Sequence, residues 1–296
     1  MRSGGARREF APAKINLLLH VGPIGADGYH PIHSLMAFTD VGDELRLDSA
    51  DRMEFRMVGP FAGELGPADG NLVISARDAL LAAVSRPLDP FRLTLDKRLP
   101  IASGLGGGSA DAAAAMRLIR RVAGVNLSDQ TLGEIARSLG SDVAACLHGR
   151  STIAEGRGDR LSPAPNLPNL HLVLVNPGIP SPTAEVYRAY DCAPGAADAP
   201  VSPETIATPA EAAAFLRGCR NDLEAPAVRL QPSIGEALAA LAAQAETLLA
   251  RMSGSGATCF ALCADRAKAR ALTAQMAHLY PRWWVRQAMI KSSTAS

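Results

Sequence analysis

The chain has 296 residues, 48% of them hydrophobic and only 4% aromatic, enough apolar material for one large core or two of ordinary size. Its 30 basic and 29 acidic side chains leave a formal charge of +1, which gives no compositional footing for nucleic acid, polyanions or a membrane surface as partner. No apolar stretch approaches the roughly 18–20 uncharged residues that cross a bilayer, so an integral membrane protein is excluded.

Met1 to Arg8 carries three arginines ahead of an apolar segment and imitates a secretion signal. Lys14 and Asn16 interrupt that segment and no small-residue cleavage pattern follows, so we read it as structure, with the residues before Phe10 dispensable. The five cysteines, Cys146, Cys192, Cys219, Cys259 and Cys263, are odd in number and scattered. That argues against a disulfide framework and for a reducing, cytoplasmic location. Cys259 and Cys263 have no His or Cys partners at ligand spacing and read as small core residues, so no protein metal site is expected.

In chain order, Phe10–Val21 reads as a strand pair or one bent strand, and 44–47 and 53–58 as further strands. Residues 71–84 carry apolar residues at helical spacing behind Asn71, placed to cap them. Phe91, Leu93 and Leu95 alternate as in a strand, which Pro100 stops. A glycine block leads into a helix over 110–122, followed by shorter helices near 128–139 and 141–147. Beyond a proline-rich break at 162–168, residues 171–175 form an apolar strand, and 191–209 lack a period and read as a surface loop. A helix over 234–249, a strand over 258–262, a helix over 265–279 and a strand over 283–287 complete the chain. The interleaving predicts two α+β domains meeting near residue 165.

The strongest chemical signal runs from Pro100 through Ser103, Gly104, Leu105, Gly106, Gly107, Gly108 and Ser109 into an alanine-rich helix. Four glycines in five positions let backbone N–H groups converge on an anion, and the helix adds its own unpaired N–H groups and dipole. A phosphate chain is the natural occupant; a flexible glycine linker is the plain alternative. The dinucleotide pattern fails because Ser109 stands where its third glycine is needed. The P-loop pattern fails for want of lysine, and the HRD and DFG elements of protein kinases are absent. Asp111 reads as a first-turn acid complementing the dipole.

Lys14 and Asn16, two apart in an apolar strand, point the same way, towards solvent or a polar cleft. Asp142 is either a helix-start acid behind Ser141 as cap or a general base. Phosphorylating an alcohol needs a carboxylate to take the hydroxyl proton and a cation to steady the moving phosphoryl oxygens. Asp142 and Lys14 supply both, given a fold that joins them. Asp27-Gly28-Tyr29-His30 is a turn carrying two amphipathic residues, or a pocket for a nucleobase. Ser253–Thr258 is a tight helix-to-strand turn or a loop closing the cleft.

Three blocks, AKINLLLHV with DGYHPIHS, then GLGGGSADAAA, then MSGSGATCFAL, resemble in kind and order the small-molecule kinases of the GHMP superfamily, over nearly the whole chain. The resemblance implies an N-terminal mixed-sheet nucleotide domain over 1–165 and a ferredoxin-like C-terminal domain over 166–296. It implies ATP with Mg2+ as the phosphoryl source, its phosphates held by Gly104 to Ser109. The DGYH block points to a substrate of the cytidine-diphosphate-linked methylerythritol type rather than mevalonate or homoserine. By position, Lys14 and Asp142 match the catalytic pair, Asn16 an asparagine of the substrate cleft, Thr183 a threonine close to the substrate, and Tyr29, His30 and Tyr187 the residues around the cytosine. A monomer or homodimer is expected. Ser103 stands where alanine is usual, Ala110 replaces a second serine, and Ser141 replaces a small apolar residue. A sister kinase on another alcohol, or a nucleotide-binding protein without catalysis, are the competing readings.

Overall fold

The computed structural model describes residues 7–64, 70–84, 87–195, 198, 200 and 203–292. They pack into two compact units, each built from separated stretches of chain. The expected interleaving of strands and helices is present, with nine α-helices and ten strands among the described residues.

The first unit takes the stretch up to Ala13, then Gly42–Ile101 and Gly106–Gly149. It holds the start of β1 (Arg8–Val21), the end of β2 (Ile32–Ser49), β3 (Glu54–Val58), α1 (Leu72–Ala82), β4 (Phe91–Asp96), α2 (Gly107–Val122), α3 (Asp129–Leu139) and α4 (Ser141–His148). β4 pairs antiparallel with β2, setting Leu95 against Leu45, and parallel with β3, setting Leu93 beside Phe55. Its buried set is Phe91, Leu93 and Leu95, as the alternation predicts. Asn71 caps α1 by accepting from the Val73 N–H at 2.9 Å, and Ser128 caps α3 through the Thr131 N–H at 3.1 Å. Ala112 to Ala115 of α2 are all buried, so small side chains let this helix lie close against its neighbours.

The second unit takes Lys14–Val41, Ala102–Leu105 and Arg150–Ser296. Besides the remainders of β1 and β2, it contains β5 (Thr152–Gly156), β6 (Arg160–Pro163), β7 (Leu170–Asn176), α5 (Thr183–Tyr190), α6 (Pro209–Arg217), α7 (Glu224–Leu230), α8 (Pro232–Ala242), β8 (Thr247–Met252), β9 (Cys259–Cys263), α9 (Arg266–Leu279) and β10 (Trp284–Ile290). The sheet order β10-β7-β9-β8, antiparallel throughout, with α8 before β8 and α9 before β10, is the βαββαβ arrangement of a ferredoxin-like unit. Its core joins Val173, Val175, Cys259, Ala261, Leu272 and Met276 with Leu241 and Ile234. Cys259 and Cys263 are core residues, as read from their spacing, and burial pushes both thiols upward in pKa.

Several expectations are corrected. The helix read over 234–249 ends at Ala242, and Thr247 to Met252 form β8 instead. The Thr247 hydroxyl donates to the Leu241 carbonyl at 2.7 Å, closing the helix, and pairing with β9 overrides the helical propensity of Leu248 and Leu249. Ser253–Thr258 therefore joins two strands rather than a helix and a strand. β2 starts twelve residues before Glu44, at Ile32, and β5, β6, α5, α6 and α7 were not foreseen. Strand β1 includes Arg8 and Glu9, and Glu9 pairs with Arg117 at 2.7 Å and Arg121 at 2.5 Å, so the structured chain begins ahead of Phe10. Of the loop expected over 191–209, residues 196, 197, 199, 201 and 202 lie outside the described set, as do Met1 to Ala6 of the leader-like segment.

Candidate active site

Lys14 and Asn16 sit in the part of β1 that belongs to the second unit. Both are covered, at 5% and 2% exposure, so the solvent-facing reading of this strand is corrected. The Lys14 N–H donates to the Leu105 carbonyl at 2.9 Å, tying the strand to the glycine loop. The Asn16 side chain donates from Nδ2 to Ser34 Oγ at 2.8 Å, and its backbone N–H to Ser253 Oγ at 3.2 Å. Its Oδ1 is buried and has no partner among the described residues. A buried acceptor left open is costly, and a hydroxyl-bearing ligand would satisfy it.

The second small-residue loop is wedged against the first. Gly104 has φ +76° and no room for a side chain, since a Cβ would stand 2.2 Å from the Ser253 carbonyl oxygen. The Ser253 hydroxyl donates to the Gly104 carbonyl at 3.0 Å, and the Thr258 N–H to the Ser103 carbonyl at 3.0 Å. Asn221 Nδ2 holds the loop by donating to the Met252 and Gly254 carbonyls, each at 2.8 Å. Thr183, the first residue of α5, meets Ser255 hydroxyl to hydroxyl at 2.9 Å. Of these partners, Ser34 and Asn221 were missed by sequence reasoning. Ser34 follows His33 in β2 and Asn221 stands between Arg220 and Asp222, so neither carries a local pattern.

Tyr29 lies at a turn, 54% exposed, with the Arg157 guanidinium 4.2 Å above its ring centre. Arg157 also pairs with Asp27 at 2.8 Å, and Asp27 Oδ1 accepts the Tyr29 N–H at 3.1 Å. These bonds and the arginine's charge hold the Asp27 carboxyl below its usual pKa. His30 donates from Nδ1 to the Gly22 carbonyl at 2.9 Å and faces Asp191 with Nε2 at 3.3 Å. Its ring is 4.9 Å from that of Tyr187 and 5.8 Å from that of Tyr190. His30, Tyr187 and Tyr190 thus form one aromatic group, suited to flat, partly polar ligands. Arg157, too, had escaped the reading of the sequence.

In the first unit, α2 opens two residues after Leu105. Its N-cap is Gly106, at φ 61°, and no side chain caps the helix. The N–H groups of Gly107, Gly108 and Ser109 are those a helix start leaves for an anion. Because the helix begins at Gly107, Asp111 falls beyond its first turn, and its role as a dipole-complementing acid is corrected. It is buried and paired with Lys97 at 2.8 Å. Asp142 lies in the first turn of α4, half-buried; the cap there is Gly140, so Ser141 is a helical residue and not the expected cap. Pro100 is buried in the turn ahead of the glycines.

A hollow of about 910 Å3 lies at the other end of α2, about 24 Å from the glycine turn by the helical rise, lined by Arg117, Arg120, Arg121 and Asp89. Its guanidinium groups are already taken: Arg117 and Arg121 by Glu9, Arg120 by Asp129 at 2.5 Å. Among the described residues no group of three or more His, Cys, Asp or Glu could hold a metal ion. No helix among the described residues is long and apolar enough to cross a membrane.

Known proteins bear directly on this arrangement. The family models for the GHMP kinases N terminal domain and the GHMP kinases C terminal match residues 71–150 and 206–282, and the chain belongs to the GHMP kinases. Within them it belongs to the family of 4-diphosphocytidyl-2-C-methyl-D-erythritol kinases. The relative of that name from Caulobacter vibrioides is 54% identical over 94% of this chain and 97% of its own. Its counterpart from Methylobacterium radiotolerans is 48% identical over 93% and 96%. A crystal structure of 4-(cytidine 5'-diphospho)-2C-methyl-D-erythritol kinase, 32% identical, superposes with a TM-score of 0.74 over 96% of this chain and 99% of that one. A homoserine kinase from Cytophaga hutchinsonii shares the fold at 18% identity, with a TM-score of 0.70 over 98% and 97% of the two chains.

Proposed function

We propose that this chain transfers the γ-phosphoryl group of ATP to the 2-hydroxyl of 4-diphosphocytidyl-2-C-methyl-D-erythritol, a step of non-mevalonate isoprenoid precursor synthesis. Asp142 accepts the hydroxyl proton as the oxygen attacks. Lys14 steadies the phosphoryl oxygens, as a buried ammonium does best where water is scarce. The Gly104–Ser109 backbone, flanked by Pro100 and Ser103, cradles the triphosphate. Asn16 and Thr183 bind the alcohol, and Tyr29, His30 and Tyr187 the cytosine. Mg2+ bound to the nucleotide would offset phosphate charge, and the phosphates and water would supply most of its ligands.

The observation that carries the reading is the open acceptor of Asn16, fully covered and two residues from Lys14 on one strand. The sets matched by the two family models lie on either side of residue 165, which supports domains 1–165 and 166–296 along the sequence, although Lys14–Val41 and the chain from Arg150 pack with the second unit. All five cysteines are free thiols, four of them buried, which supports a cytoplasmic site of action.

The test is ADP release against a panel of alcohols that includes the cytidine compound, mevalonate and homoserine. The cytidine compound is expected to be the one turned over. Asp142→Asn is expected to lower kcat by roughly 10²–10⁴, the range for a lost general base, with substrate binding largely intact. Full turnover by that variant would remove Asp142 from the mechanism.

A further inference from the structure

Lys97 follows β4 directly and continues the side of the strand that buries Phe91, Leu93 and Leu95. Its ammonium, 3% exposed as part of the residue, lies 2.5 Å from Asp43 Oδ2 and 2.8 Å from Asp111 Oδ2. Asp43 is itself fixed, because its Oδ1 accepts the backbone N–H of Arg98 at 2.5 Å and of Leu99 at 2.8 Å. Asp111 Oδ1 is buried without a partner among the described residues. Directly above this group lies the opening of α2: a Cβ added at Gly107 would stand 2.9 Å from Lys97 Nζ and 3.7 Å from Asp43 Oδ2. Burying one ammonium and two carboxylates is energetically poor compared with an apolar filling of the same volume. A cluster of this kind under the glycine turn calls for a role other than stability.

We propose that Lys97 is a positioning residue for the phosphate-binding turn. Its ammonium, clamped from β2 by Asp43 and from α2 by Asp111, is the stop on which Gly107 rests. It thereby sets the direction of the N–H groups that open α2. A side chain at 107 would have to push this ammonium out of its clamp, whereas the backbone there is not left-handed. The proposal rests on the reading that the triphosphate lies on the Gly104–Ser109 loop.

The test is steady-state kinetics of the full chain with each substrate varied, alongside unfolding midpoints. Lys97→Met ends one atom short of the ammonium. It and Gly107→Ala are each expected to raise KM for ATP by about ten-fold or more, with KM for the alcohol unchanged. In the double variant the shorter tip leaves room for the new methyl group, so the combined effect is smaller than the product of the single effects. Multiplicative effects, or a lowered midpoint with an unmoved KM for ATP, would overturn the proposal. Should Lys97→Met fail to fold, Asp111→Asn serves. It keeps the shape of the clamp and removes its charge, so a several-fold rise in KM for ATP alone is expected at pH 9, where Asp111 is ionised; no rise there overturns the idea. Gly108→Asp separates this from the underlying reading. A Cβ there meets only Leu72 Cδ1 at 3.6 Å, so the added carboxylate fits and repels the triphosphate. If Gly108→Asp leaves ATP binding untouched, the loop reading itself falls. If it weakens ATP while the Lys97, Gly107 and Asp111 variants do not, only the positioning role falls.

Discussion

A carboxyl group buried as deeply as Asp111 holds its proton to an unusual pH. Burial raises its pKa from 3.8 to about 8; the Lys97 ammonium opposes this, and the Asp43 charge reinforces it. Lys97 moves upward as well, because the two carboxylates outweigh the effect of its own burial. For Asp111 the folded state binds its proton more tightly than the unfolded chain does. The stabilisation is therefore complete below the unfolded value of 3.8 and is lost as pH rises towards about 8. Urea unfolding at intervals from pH 5 to 9 is the measurement. The advantage of the natural chain over Asp111→Asn should shrink up to about pH 8 and then level off. A difference constant across that range would mean that Asp111 is ionised throughout. At this scale the sequence was partly legible. Lys97 continues the i, i+2 alternation of Phe91, Leu93 and Leu95, and a charged residue on the buried side of a strand is the signal that could have found it. The partner Asp43 had no such signal, since it lies 54 residues away.

The starts of α1 and α3 were read well, because capping is local chemistry. Asn71 and Ser128 do what their side chains do before any apolar run, and α1 and α3 begin just behind them. Asn71→Ala should accordingly cost about 1 kcal/mol in an equilibrium denaturant titration, the usual value of a lost cap, without altering KM for either substrate. Helix ends and strands with alanine and leucine were read worse. Nothing in Ala242–Leu249 announces that the chain turns back to pair with β9, since that pairing is decided by residues beyond Thr258. The same holds for β2, whose 18 residues change partners along their length: β5 over Ile32–Met36 and β4 over Glu44–Ser49. A mixed burial pattern results, and a single periodicity cannot describe it.

At the scale of the whole molecule, distant segments are held by a few polar groups. Arg251 is the clearest of these: its guanidinium donates to the carbonyls of Leu17 at 2.9 Å, Leu216 at 2.7 Å and Cys219 at 2.8 Å, all in one unit. Arg251→Met removes three hydrogen bonds to buried carbonyls, of which that of Leu216 keeps the Cys219 N–H, so a loss of about 2 kcal/mol or more is expected in thermal or urea unfolding. A loss below about 1 kcal/mol would mean that water replaces the guanidinium. The candidate site was legible as motifs: the glycine block, Lys14 with Asn16, and the Tyr29–His30 turn were all visible as residues. What stayed hidden was the scaffolding between them, such as Ser253 against Gly104, because contacts across 149 residues leave no local trace.

The interleaving of the two units has a consequence during synthesis. Residues 14–41 leave the ribosome early, yet they belong with a sheet that is finished only at Ile290. At about 5–20 residues per second, roughly 250 residues of translation keep that apolar stretch waiting for roughly 10–50 seconds. A newborn chain of this kind is exposed to aggregation throughout that interval, and chaperone capture of Ile15–Val21 would shelter it until its late partners emerge.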